Sequence, residues 1–288
     1  MKRRGVLALI GVGLVAIGFA GCSTLTTFDT LVPKDGGVAR AAKDVAFGSD
    51  ERQRLDVYRP TAHSPGKPLP IIVFFYGGSW KTGSKDGYSW VARALAARGF
   101  VVVVPDYRLY PSVKYPAFLE DNAAAVRWTI AHSSEFGGDP TRLVLAGHSA
   151  GAYNAAMLAL DPRWLGDARK SVRGLIGLAG PYDFLPFDTN TTREVFGDAP
   201  DLPSTQPINV ADAADPPAFL ATGDTDDTVR PRNSDRLAAK LEAAGVTVER
   251  KRYAKLGHIS LLTALSKPFR GRAPVLDDVV TFAEKVTR

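Results

Sequence analysis

The sequence predicts an α/β protein built around a mostly parallel sheet flanked by helices. Two patterns point there. Several short apolar runs, among them Ile71–Phe75, Phe100–Val104, Leu143–Ala146 and Val172–Leu178, are continuous instead of alternating. Strands buried on both faces read that way. Segments with helical spacing fall between them, which calls for right-handed crossovers joining parallel strands. A third observation fits the same frame: a Gly-His-Ser-Ala-Gly pentapeptide, 147–151, stands at a strand-to-helix junction.

Taken in order, residues 24–42 read as a polar tether broken by Pro33 and Gly36-Gly37. Val45–Phe47 and Leu55–Tyr58 read as short strands joined by a polar turn, and Ile71–Phe75 as a buried strand ending at Gly77-Gly78. A helix over Tyr88–Arg98 stops at Gly99, and the strand Phe100–Val104 stops at Pro105. The helix Phe118–His132 precedes the strand Leu143–Ala146, and a small-residue helix occupies Gly151–Leu160. Strands follow at Val172–Leu178, Ala218–Thr222 and Val246–Tyr253, with helices at Arg232–Ala244 and Leu276–Val286. Residues 185–217 break this rhythm with Pro, Asp and Thr. A connection that long inside a compact domain is expected to be a lid or another functional loop.

The chain has 288 residues with 36 Lys+Arg against 30 Asp+Glu, a formal charge of +6. Such an excess raises nucleic acid or an anionic membrane as partners. Half of it, however, sits on Lys2, Arg3 and Arg4, directly before the uncharged stretch Gly5–Ala20. That stretch is shorter than the roughly 20 residues of a membrane span and has the form of an export leader. No basic block of nucleic-acid type remains: Arg250-Lys251-Arg252 lies in a strand, where such charges form a solvated face. The single cysteine excludes a disulfide framework and a multi-cysteine zinc site. It is Cys22, in Phe19-Ala20-Gly21-Cys22. This resembles a bacterial lipobox, which implies a leader over 1–21, acylation at Cys22, an acylated tether over 22–42 and a catalytic domain over 43–288. Two or more acyl chains suffice for stable anchoring where one does not. Ser23 after the cysteine, by the same resemblance, implies the outer membrane of a Gram-negative envelope.

Ser149 is the candidate nucleophile. Small residues around it permit the sharp turn that lifts the hydroxyl above the sheet, and the helix N-terminus behind it favours developing negative charge. A serine needs a base. His63 lies in a Pro-rich loop, His132 near a helix end, and His148 beside the serine is expected to pack. His258, in Leu256-Gly257-His258-Ile259, follows every candidate acid, in the chain order serine, acid, histidine. For the acid, Asp224, Asp226 and Asp227 all follow a strand; Asp226 lies three residues after Gly223 and three before Val229, with Asp224 and Asp227 as the alternatives. The tandem glycines of Tyr76-Gly77-Gly78-Ser79-Trp80 would let Gly78 and Ser79, with Ala150, present N–H groups to an oxyanion. Trp80 is expected to pack the loop.

These residues, with Leu55-Asp56-Val57-Tyr58 and Asp106-Tyr107-Arg108, resemble the α/β-hydrolase superfamily, and within it small bacterial carboxylesterases of the BD-FAE and kynurenine-formamidase-like group. The resemblance runs from about Val45 to the C-terminus. It implies an eight-stranded sheet, a Ser149-Asp226-His258 triad, and hydrolysis of carboxylic esters or related amides, with no cofactor and no metal; the scarcity of long apolar stretches within 185–217 favours short-chain or aryl esters. Amidase or peptidase chemistry, a lipase, and a non-catalytic binder on the same scaffold are the alternatives. One departure stands out. The group often carries His-Gly-Gly-x-Trp, and here position 76 is tyrosine, which weakens the expectation of formamidase specificity.

Overall fold

The computed structural model describes residues 21–63 and 66–288. The apolar stretch Gly5–Ala20, and so nearly all of the expected leader, lies outside the described residues. Among those described, no helix is long and apolar enough to cross a membrane.

One sheet of eight strands organises the chain, in the order β1-β2-β4-β3-β5-β6-β7-β8. The strands are β1 (Val38–Ala46), β2 (Arg54–Pro60), β3 (Leu69–Phe75), β4 (Val101–Pro105), β5 (Gly138–His148), β6 (Val172–Leu178), β7 (Ala218–Gly223) and β8 (Val248–Tyr253). Only the β1–β2 and β2–β4 pairs are antiparallel; all pairs from β4 through β8 are parallel. The central runs are buried on both faces, as their lack of alternation predicted. Ile72, Phe74, Val102, Val104, Val144 and Ala146 pack into one core layer, and Ile71, Val73, Phe75, Val101, Val103, Leu143 and Leu145 into the other.

The helices that matter below are α1 (Gly21–Leu31), α2 (Ser89–Ala96), α3 (Ala117–His132), α4 (Ala150–Leu160), α5 (Asn190–Phe196), α6 (Arg232–Ala243), α7 (His258–Thr263) and α8 (Val275–Val286). All residues of α4 are buried, which explains its Ala-rich composition: it runs close along the sheet. The basic run in β8 is ion-paired on both sides. Arg250 and Arg252 reach Asp235 of α6, and Lys251 lies 3.7 Å from Asp278 of α8.

The segment expected to be a tether is folded. It holds α1, with Cys22 in its first turn, and most of β1. The sequence hides β1 because eight of its nine residues are less than fully buried, so no apolar pattern marks it. Its pairing with β2 forms it, through two register shifts of the kind common at sheet edges. Helix α1 docks through Phe28, whose ring lies 5.3 Å from that of Trp90, and through Asp29. The Asp29 carboxylate accepts hydrogen bonds from the Ser89 hydroxyl at 2.8 Å and the Trp90 N–H at 3.0 Å. It thereby caps α2 from another part of the chain. Asp29→Ala is expected to cost about 1 kcal/mol, typical of a lost cap. Calorimetry would read this as a melting midpoint lower by roughly 2–4 °C for a domain of this size; an unchanged midpoint would show that the contact contributes nothing.

Candidate active site

Parallel strands bring their C-terminal ends to one edge, where the following loops meet. The loop after β3 carries Gly78 and Ser79, that after β5 carries Ser149, that after β7 carries Asp226, and that after β8 carries His258. Because β3 neighbours β5 directly, and β5 through β8 are consecutive in the sheet, segments far apart in sequence converge.

Ser149 sits at the turn from β5 into α4 with φ 56° and ψ −124°. That region is unfavourable for a residue with a side chain, at a cost of order 1–3 kcal/mol, and the flanking glycines make the turn possible. A Cβ on Gly147 would lie 2.2 Å from the Gly151 carbonyl oxygen, and one on Gly151 would lie 2.0 Å from that of Phe75. The G-x-S-x-G spacing is therefore a packing requirement of this elbow.

Of the three candidate acids, Asp226 meets His258. His258 Nδ1 donates to Asp226 Oδ2 at 2.9 Å. The other carboxylate oxygen accepts from the backbone N–H groups of Thr228 at 3.0 Å and Val229 at 2.9 Å. Asp226 is 4% exposed, whereas Asp224 and Asp227 are exposed. Asp224 accepts instead from the Lys255 N–H at 2.7 Å, closing the loop. Thr225 ties the acid loop to the histidine loop: its N–H and its hydroxyl both donate to the Leu256 carbonyl, at 3.1 and 2.8 Å. His258 is the first residue of α7, a helix too short for the sequence pattern to reveal. The structure places His63 and His132 elsewhere: His63 lies against Gly137, and His132 pairs with Glu135 and stacks on Trp128.

The loop after β3 has three successive residues with positive φ: Gly78 (134°), Ser79 (55°) and Trp80 (58°). The Gly78 carbonyl accepts from the N–H groups of Lys81 and Thr82, each at 3.0 Å, which closes the turn. Among the described residues, neither Gly78 nor Ser79 donates its N–H to a backbone carbonyl. Ala150, at the start of α4, has no carbonyl one turn back to bond. Tyr76 does not offer its hydroxyl to this turn. It donates to Asp106 Oδ1 at 2.8 Å and accepts from Arg52 Nη2 at 2.9 Å. Its ring stacks between those of Tyr107 and Tyr88. Burial pushes the Tyr76 hydroxyl well above its usual range, so it stays a neutral donor to the carboxylate. The same Arg52 nitrogen reaches the Gly83 carbonyl at 2.9 Å. Asp106 also accepts from the Lys85 N–H at 2.7 Å, and the Lys85 ammonium, 2% exposed, lies 3.0 Å from buried Asp56. Half-buried Asp106 thus ties Tyr76, before the strained turn, to Lys85, beyond it, and buried Asp56 holds the Lys85 ammonium.

The BD-FAE family model matches residues 55–241, well over half of the chain. The chain belongs to the BD-FAE family. Esterase LipC of Mycobacterium tuberculosis is 36% identical over 149 residues, covering 49% of this chain and 36% of that protein. The isoprenylcysteine alpha-carbonyl methylesterase ICME of Arabidopsis thaliana is 28% identical over 270 residues, covering 83% of this chain and 61% of the relative. The chain therefore spans between about a third and three fifths of the length of these curated relatives. A hyperthermophilic esterase from Pyrobaculum calidifontis superposes with a TM-score of 0.76 over the full length of both chains at 24% identity, which places the fold among α/β-hydrolase structures.

In this BD-FAE chain the segment 185–217 packs an aromatic cluster against Trp80 of the loop after β3. Phe196 of α5 lies 4.8 Å from Trp80 and 5.4 Å from both Tyr153 and Phe184, centroid to centroid. Trp80 is 3% exposed, and its indole N–H donates to Asn154 Oδ1 at 3.0 Å, so it packs the loop as expected. The family residues Asp56 and Asp106 carried no assigned role in the sequence. Their place beside a charge-rich loop, Asp56 buried and Asp106 half-buried, is visible only once β2, β4 and the loop after β3 are side by side.

Proposed function

We propose that this protein is a lipid-anchored serine esterase that cleaves short-chain or aryl carboxylic esters through Ser149, Asp226 and His258. The observation that carries the reading is the 2.9 Å Asp226–His258 hydrogen bond, held at the sheet edge that also carries the strained elbow of Ser149. In this reading His258 takes the Ser149 proton as the hydroxyl attacks the ester carbonyl. The Asp226 carboxylate holds the proton-bearing Nδ1 inward and stabilises the imidazolium that forms. The N–H groups of Gly78, Ser79 and Ala150 receive the oxyanion. The alcohol leaves with the proton from His258, and water releases the acid through the same base. Phe184, Phe196, Tyr153 and Trp80 fill the space beside the oxyanion loop with large rings, which favours short acyl or flat aryl groups. The name of the methylesterase relative is consistent with a small leaving alcohol.

Anchoring rests on Cys22 following the apolar stretch Gly5–Ala20. Because α1 is docked, an acyl chain at Cys22 would hold the domain on a short, ordered stalk at the envelope membrane. A panel of p-nitrophenyl esters and matched anilides tests the chemistry with the detergent-solubilised protein. Acetate and butyrate esters are expected to exceed dodecanoate in kcat/KM by about tenfold or more, and esters to exceed anilides. A maximum at long chains would make the protein a lipase, and a preference for anilides an amidase. Failure to label with a fluorophosphonate would revive a non-catalytic binder. Palmitate incorporation that persists in Cys22→Ser would overturn the anchor.

A further inference from the structure

His148 is the residue that the proposed chemistry leaves unused. It is 2% exposed and its ring lies 4.7 Å from that of His258, tilted by 46°. Its Nε2 is 3.1 Å from the backbone carbonyl oxygen of His258. A carbonyl only accepts, so Nε2 must carry the proton. The other nitrogen, Nδ1, is buried with no partner among the described residues. It faces Gly77: a Cβ there would lie 3.2 Å from Nδ1 and 2.9 Å from the Ser149 Cβ. The ring is therefore wedged between the oxyanion loop and the histidine loop, touching both and donating to one.

We infer that His148 is a positioning residue for the proposed base: as the Nε2–H tautomer it clamps the main chain of His258 and so fixes where that imidazole stands over the elbow. This rests on the reading of His258 as the base. Three observations support it. First, His258 opens a helix of only six residues, so few helical bonds of its own restrain it. Second, its side chain is tied to Asp226 on one side, and the His148 bond ties its backbone on the other. Together they restrain the ring in both translation and rotation, and small displacements of a reacting group are costly: about 1 Å can lose on the order of a hundredfold in rate. Third, burial and the neighbouring His258 hold His148 well below the usual histidine range. The clamp therefore stays neutral when a positive charge develops on His258, where a cationic neighbour would oppose catalysis. The elbow position just before the serine thus does more than fill space. A packing role alone would be met by any apolar side chain of similar volume.

The test uses the full chain and two variants. Gln places an amide nitrogen close to where His carries Nε2, so His148→Gln keeps the donor; His148→Leu keeps bulk and loses it. His148→Leu is expected to lower kcat about 10- to 100-fold with KM changed less than about twofold, and His148→Gln to stay within about threefold of the parent. Parental kcat in both variants would overturn the clamp, as would equal losses in both, which would mark bulk or ring shape as what matters. Should the variants fold poorly, the parent protein decides alone. Ring ¹⁵N NMR is expected to show one histidine protonated at Nε2 and unprotonated at Nδ1, unchanged between about pH 5 and 8. A His148 signal with the proton on Nδ1, or one that titrates in that range, would sink the inference. The NMR result does not depend on turnover, so it separates failure of the clamp from failure of the esterase reading, which would show instead as a parent protein inactive on every ester.

Discussion

Ser149→Ala is expected to lower kcat for p-nitrophenyl acetate by about 10⁴-fold or more. The substitution removes the one group that can form the acyl-enzyme, while the N–H groups around it and the binding surface remain, so a small residual rate above that of water is expected. The kinetic test is clean because Ala and Ser suffer alike from the φ of 56° at this position. Neither relieves the turn, and the melting midpoint is expected to move by less than about 2 °C. Turnover near that of the parent would remove Ser149 from the mechanism. Loss of activity accompanied by loss of the folded state would instead assign the residue to the elbow's structure.

Asp226→Asn is the second large effect, expected at about 10³-fold or more in kcat. The carboxylate does two things that an amide cannot do together. Its Oδ1 accepts from the N–H groups of Thr228 and Val229, and its Oδ2 accepts from His258 Nδ1. An amide has a single oxygen. If that oxygen keeps the two backbone donors, the NH₂ group faces Nδ1 and selects the tautomer with the proton on Nε2, which cannot accept the serine proton. The comparison that gives the result meaning is Asp224→Asn and Asp227→Asn. Both residues are exposed, and both variants are expected to stay within about threefold of the parent. A large loss in either, with Asp226→Asn active, would move the acid along the loop.

These contrasts also show where the sequence stops being informative. Ser149 stands out locally, since an elbow needs glycines two before and two after it, and such spacing is visible in five residues. The central strands are legible for a similar reason: burial on both faces leaves continuous apolar runs such as Val101–Val104. By contrast, Asp224, Asp226 and Asp227 are equivalent turn-formers in the sequence. The difference among them is a hydrogen bond spanning 32 residues. The segment before β1 is polar enough to read as a tether, yet Phe28 and Asp29 find Trp90 and Ser89 some sixty positions away.

Tyr76 is the same lesson at the site itself. In the sequence it is only a departure from the usual histidine, whereas in the structure its OH is committed to Asp106 and Arg52, thirty residues ahead and 24 behind. The sequence by itself determined the layered α/β fold, the elbow, and the chain order of candidate nucleophile, acid and base. Those follow from short-range spacing and from runs of like residues. Only the tertiary structure decided which aspartate meets His258, that β1 and α1 belong to the folded domain, what Tyr76 holds in place, and that His148 reaches the backbone of His258. Each of those is a contact between segments that only the parallel sheet brings to a common edge.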